Sequence, residues 1–170
     1  MVIVVEGIDR VGKSTLVNLL NKRTGYKVFK KDREYVNGLG SYSKDVDAFI
    51  NYGTIISNIH AINNGYMDNI IFDRFQWTEA VYGYIDRKNK SSYYLMKKAE
   101  KKMLYDKWLM VYVRPTDIKR SSAEHGKDLS AHLGMYENMV NETELQCVIC
   151  DFNSLVEASD RIIDIIRERG

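Results

Sequence analysis

A chain of 170 residues, 45% hydrophobic and 28% charged, has the size and composition of one globular domain spanning 1–170, able to bury a core without a disulfide or metal staple. Its 25 lysines and arginines against 23 acidic residues leave a net charge of +2, too balanced for a nucleic-acid coat, so any anion site must be local. No run of about 18 apolar residues offers a membrane span, and the opening MVIVVEGIDR lacks a basic leader and cleavage site; the expectation is a cytoplasmic protein with neither nucleic acid nor membrane as partner.

Residues 2–5 form an apolar β-branched run and read as a strand. After a Gly-rich turn, Leu16, Leu19 and Leu20 recur at helical spacing over 14–22. A second strand is expected at 26–29, and then a long helix capped by Ser43 that stops at Asn63-Asn64-Gly65. A third strand follows at 69–72. Over 91–107, Leu95, Met96, Ala99 and Met103 line one side of a helical segment, and Lys97, Lys98, Lys101 and Lys102 the other. With Glu100 and Asp106 interspersed, that lysine face reads as solvated surface rather than a nucleic-acid site. Strands at 108–113 and 146–150 and a final helix at 155–168, with Val156, Ile162, Ile163 and Ile166 inward, complete the chain. The alternation predicts a three-layer α/β sandwich: a five-stranded parallel sheet ordered 2-3-1-4-5 with helices on both faces. Cys147 and Cys150 form a C-x-x-C inside the fifth strand, where residues three apart point to opposite faces, so neither redox nor zinc chemistry is assigned to them.

Gly7-Ile8-Asp9-Arg10-Val11-Gly12-Lys13-Ser14 fits G-x-x-x-x-G-K-[ST] at every fixed position, a pattern that arises by chance in about one chain of this length in two hundred. The two glycines let successive N–H groups point inward around a phosphate, and the following helix dipole adds to the attraction. Lys13 is placed to bridge the β- and γ-phosphates of ATP and the Ser14 hydroxyl to ligate Mg²⁺; Thr15 belongs to the helix at the edge of this contact set. Arg10 supplies in cis the charge that an arginine finger supplies in trans. With no N-K-x-D to read guanine, a GTPase is disfavoured. Asp73 and Arg74 end the third strand at the carboxyl edge of the sheet, where Asp73 resembles a Walker-B carboxylate holding Mg²⁺ through water, and Arg33 lies just past the second strand. Three arginines at three strand ends beside a phosphate loop suit transfer between two polyanions, which needs fixed cations and almost no acid–base chemistry.

Glu6-Gly-Ile-Asp-Arg-Val-Gly-Lys-Ser-Thr15 resembles the E-G-[IV]-D-x-x-G-K-[ST]-T loop of thymidylate kinases, and Asp73-Arg-Phe-Gln-Trp-Thr-Glu-Ala-Val-Tyr82 resembles their D-R-Y-x-x-S-x-x-A-Y block. Arg33-Glu34 matches the start of an R-E-P-G-G stretch without its proline, and residues 115–120 resemble the start of the lid, here about 115–128. The resemblance implies a homodimeric deoxynucleoside monophosphate kinase. Asp9 would contact the acceptor sugar, Arg33 and Arg74 would grip its phosphate, and Tyr82 would exclude a 2′-hydroxyl. Thr78 falls in the same block. Of the lid's cations, Arg120, with Lys119 and Lys127, would close over ATP, although a mobile surface loop is the plainer reading. No arginine stands between Arg33 and Arg74 to read thymine; Phe49 or Tyr52 is left to stack on a base, and Glu79 to accept from an exocyclic amine, so base choice is open. Two other readings compete. A deoxynucleoside kinase would phosphorylate a 5′-hydroxyl with Glu34 or Asp32 as base, and Val113-Arg114-Pro115 resembles the fourth-strand ending of such enzymes. A non-catalytic nucleotide-sensing module would need no second anion pocket. The three histidines, His60, His125 and His132, receive no role.

Overall fold

Every residue of Val2–Glu6 is buried, and because neighbouring strand residues face opposite ways, this strand, β1, is covered on both sides. It is the centre of the sheet in the computed structural model, which describes residues 1–30 and 44–169. β1 pairs in parallel with β3 (Ile70–Asp73) and β4 (Trp108–Arg114); β2 (Lys27–Lys30) adds to β3 and β5 (Cys147–Asp151) to β4. The resulting order, β2-β3-β1-β4-β5, is the one expected. Registers Val5↔Asp73, Lys30↔Asp73 and Glu6↔Tyr112 bring the strand ends level, so that the loops beyond them share one rim.

Seven helices are described: α1 (Lys13–Thr24), α2 (Lys44–Asn63), α3 (Gln76–Ile85), α4 (Lys90–Glu100), α5 (Ile118–His125), α6 (Ser130–Glu142) and α7 (Leu155–Arg169). α1 packs on α7, while α2 packs on α4, and α3 on α4 and α6, two groups that sandwich the sheet. The core is continuous across these layers, with Leu16, Leu20, Ile162, Trp77, Met96, Trp108 and Tyr136 fully buried. Among the described residues no helix is long and apolar enough to cross a membrane.

Several expectations change. The helical segment over 91–107 stops at Glu100, because Lys102 and Met103 donate to Ala99 and Glu100 in a tight final turn that redirects the chain into β4. Glu100 is buried rather than solvated, accepting from the Trp77 indole N–H and, at 3.2 Å, from Gln76. In α7 the buried stripe is Leu155, Ala158, Ser159, Ile162 and Ile165, which leaves Val156 64% exposed. The lid contains the helix α5, capped by Asp117, which accepts from Lys119 and Arg120 N–H groups at 2.9 and 3.2 Å, in place of a loop. Ser43, the expected cap of α2, lies outside the described residues. Cys147 and Cys150 are free thiols whose pKa values burial pushes up, to about 12 and about 11, away from thiolate reactivity.

Candidate functional site

The loop between β1 and α1 has backbone that only its own residues allow. Gly7 has φ 143°, and a Cβ there would collide with the Val113 carbonyl oxygen. Gly12 has φ 95°, and a Cβ there would stand 2.7 Å from the Phe152 ring. Between them Arg10 adopts φ 65°, and Arg74 at the end of β3 adopts φ 76°. Left-handed backbone costs a non-glycine residue about 1 kcal/mol, and such strain gathers at functional sites. Lys13 turns inward and donates to the Ile8 carbonyl. Burial and the Arg74 charge push its ammonium down to about 7, against the pull of Asp9, Asp73 and Glu6.

A cavity of about 590 Å³ opens over this loop. Asp9, Arg10, Val11, Gly12, Lys13, Ser14 and Thr15 form its floor, Lys30, Asp73 and Arg74 come from the ends of β2 and β3, and Glu124 and His125 reach in from α5. Asp9 is the hub of the ion pairing in the cavity. One carboxylate oxygen pairs with the Arg74 guanidinium and the other lies 2.6 Å from His125 Nε2. Burial alone would raise the Asp9 pKa, but the Arg74 and Lys13 charges outweigh it and hold the carboxyl at about 2. Asp73 is buried, and Lys30 Nζ lies 3.7 Å from its carboxylate.

α3 carries the rest of the resembling block and is mounted from β1. Its N-cap position, Phe75, contributes no side-chain bond. Glu6 takes that role across the chain, accepting from the N–H groups of Phe75, Trp77 and Thr78 at 2.8, 3.0 and 3.2 Å and from the Thr78 hydroxyl at 2.5 Å. Burial raises the Glu6 pKa in spite of these four bonds. Thr78, the expected substrate contact, therefore serves the mount, and it also meets the Tyr136 hydroxyl at 2.9 Å. Glu79 is buried, paired with Arg87 and reached by Asn51 Nδ2 of α2 at 3.0 Å. The Tyr82 ring has the Arg74 guanidinium 5.7 Å and Lys127 Nζ 5.5 Å from its centroid, and burial pushes its phenol up to about 12.

Not every expected residue reaches the cavity. Arg120 is 79% exposed and pairs with Glu124 at 2.9 Å, so the cavity-lining residues of α5 are Glu124 and His125 instead. On α2, Phe49 points outward, 62% exposed, and Tyr52 packs against the core. Arg33, Glu34 and Asp32 lie outside the described residues. The sequence alone assigns no role to Lys30, His125 or Phe152. The basic Lys30-Lys31 pair after the second strand was a usable signal for the first; His125 and Phe152 arrive from distant segments without a local one. Phe152, 56% exposed on a 3₁₀ turn after β5, lies against Gly12 and offers an apolar face beside the phosphate loop.

The donor set fits Mg²⁺ as a nucleotide-bound ion. Magnesium keeps several waters and takes phosphate oxygens, asking one or two ligands of the protein, and the hydroxyl of Ser14 and the carboxylate of Asp73 line the same cavity.

No protein-family model matches the sequence, and no curated protein does. Among solved structures, YorR from Bacillus subtilis, in complex with phosphorylated GDP, is similar with a TM-score of 0.68 and 23% identity, covering 98% of this chain and 96% of that one. Deoxyadenosine kinase from M. mycoides with bound dATP is similar with a TM-score of 0.64 and 17% identity, covering 96% of this chain and 100% of that one. The same enzyme with the products dCMP and a flexible dCDP gives a TM-score of 0.62 at 17% identity, over 99% and 100%. At these identities the likeness is one of fold.

Proposed function

We propose that the chain is an ATP-dependent nucleotide kinase that passes the γ-phosphoryl group of ATP to the phosphate of a deoxynucleoside monophosphate, in the manner of the thymidylate kinase-like enzymes that its loop and its Asp73–Tyr82 block resemble. The observation that carries this reading is one cavity whose lining gathers four cations from separate elements: Arg10 and Lys13 of the phosphate loop, and Lys30 and Arg74 at the ends of β2 and β3. An oxygen of the acceptor phosphate attacks the γ-phosphorus in line, the bond to the β–γ bridging oxygen breaks, and ADP leaves with that electron pair. The loop's N–H groups and Lys13 hold the donor phosphates, and Arg10 stabilises charge on the transferring group. Ser14 and Asp73 would hold Mg²⁺, which when bound neutralises charge on the donor phosphates. Arg74 meets the acceptor phosphate with the guanidinium donors that Asp9 does not occupy, and Arg33 is proposed to join it. The Tyr82 ring beside Arg74 closes the sugar side, while Glu79, expected to accept from a base amine, is buried and taken up by Arg87 and Asn51 and so is left out of the base contact. As an assembly, a homodimer is proposed on the same resemblance, and a cytoplasmic location is proposed on the leader-free, span-free sequence.

A second reading, a deoxynucleoside kinase, is favoured by one observation: Arg74 is already paired with Asp9, as suits a site whose acceptor brings no charge of its own. The fold it shares with deoxyadenosine kinase agrees with that reading. ADP release with Mg²⁺-ATP and each of dTMP, dUMP, dCMP, dGMP and dAMP, beside the matching nucleosides, separates the two. Turnover of monophosphates is expected. Preference for nucleosides, abolished by Glu34→Gln with binding retained, would establish the second reading, and no turnover of any acceptor would leave only a nucleotide-sensing module.

A further inference from the structure

The two ends of the lid helix are held differently: Ile118 packs against the core at its start, and polar ties hold its end. Arg120, in its first turn, pairs with Glu124 on its own helix and stays outside the cavity. At the other end His125, the last residue of α5, reaches Asp9 at 2.6 Å, and past the left-handed Gly126 the Lys127 ammonium meets Asp86 at 2.6 Å beside the Tyr82 ring. His125 Nδ1 is enclosed with no hydrogen-bond partner, which suits the tautomer that carries its proton on Nε2 and donates it to Asp9. The other oxygen of that carboxylate holds Arg74. His125, Asp9 and Arg74 therefore form a relay from the lid to the wall where an acceptor arrives.

We propose that His125 is a positioning residue for the acceptor side of the site: by holding Asp9 from the lid it fixes the Arg74 guanidinium, so that seating the lid and aligning the acceptor phosphate are one event. The choice of substrates rests on the kinase reading above; the tie itself does not. A carboxylate with one oxygen anchored can present the other in a single direction, and an arginine held through one of its five N–H donors keeps the rest for a phosphate. The lid's influence then falls on the acceptor rather than on ATP, the reverse of what a lid arginine over the donor would do.

The test compares His125→Phe, which keeps ring volume and loses the donor, with His125→Gln, whose amide nitrogen reaches the place of Nε2. In the phenylalanine variant the acceptor KM is expected to rise about tenfold and kcat to fall, with the ATP KM within about twofold of the parent, and glutamine is expected to restore both to within about threefold. Amide hydrogen exchange over 118–125, read without any turnover, is expected to quicken about tenfold in His125→Phe and to stay near the parent rate in His125→Gln. Equal rises in both KM values, failure of glutamine to rescue, or unchanged exchange in the phenylalanine variant would each overturn the proposal. A parent protein that turns over no acceptor defeats the kinase reading alone, and the exchange measurement then decides the tie by itself.

Discussion

Glu6→Ala is expected to cost the fold about 3–4 kcal/mol and Glu6→Gln less than about 1 kcal/mol. The Glu6 carboxylate accepts four bonds in a fully enclosed place, three of them from N–H groups of the N-cap and first turn of α3, whose own N-cap side chain supplies none. Truncation leaves the three N–H donors without an acceptor and the Thr78 hydroxyl with Tyr136 alone; each buried donor left unmade costs about 1–3 kcal/mol. Part of that is offset, because burial already disfavours the ionised carboxylate, as its raised pKa states. The glutamine carbonyl keeps the three N–H bonds. Its amide nitrogen faces the Thr78 hydroxyl, which then accepts and turns its own proton to Tyr136, 2.9 Å away. The pH sign follows. Between the unfolded value of 4.5 and the raised folded one, the folded state holds a proton that the unfolded state has lost, so the parent loses stability as pH rises and the glutamine variant gains on it. Urea unfolding at several pH values, followed by tryptophan fluorescence and circular dichroism, reads all of this. An alanine variant within about 1 kcal/mol of the parent, or a glutamine variant as costly as alanine, would show that Glu6 does not mount α3.

Three further outcomes are expected. ATP binding should carry proton uptake above pH 7, because Lys13 sits at about 7 when the site is empty and phosphates raise it; calorimetry in buffers of different ionisation enthalpy should find close to one proton at pH 8 and an affinity falling about tenfold per pH unit beyond 7, and a flat profile would contradict the Lys13 environment. Asp9→Asn should destabilise the protein least in acid: a carboxyl held at about 2 instead of 3.8 contributes stability above pH 4 that is lost as pH falls toward 2, so the gap between parent and variant in urea midpoint should close over that window. Phe152→Ala should raise the KM for ATP about fivefold and leave the acceptor KM unchanged, whereas equal shifts in both would remove Phe152 from the donor side.

The phosphate loop was legible because its signature is local, a strand, two glycines and a helix in 23 consecutive residues, although Val113 and Phe152, which crowd the glycines, come from far along the chain. The strand order followed from alternation and right-handed crossovers in the same way. What escaped depends on partners far along the chain. Glu100 looks like any charge among lysines until the Trp77 indole arrives, and His125 has no sequence signal at all, since Asp9 lies 116 residues away. Thr78 shows the converse, a motif position whose hydroxyl is bound to Glu6 rather than presented to the cavity. Strand ends slipped by a residue because apolar runs mark burial, while ladder pairing carries β2 and β3 on to the polar Lys30 and Asp73.

Consecutive residues at the end of β1 have separate clients: Glu6 bolts down the helix that bears Glu79 and Tyr82, and Gly7 begins the turn that cradles phosphate. Floor and back wall are thus cast as a single corner with no joint between them. Under the kinase reading, any breathing that admits and releases nucleotides is expected from parts not fastened there, which puts the pacing of turnover in the roof.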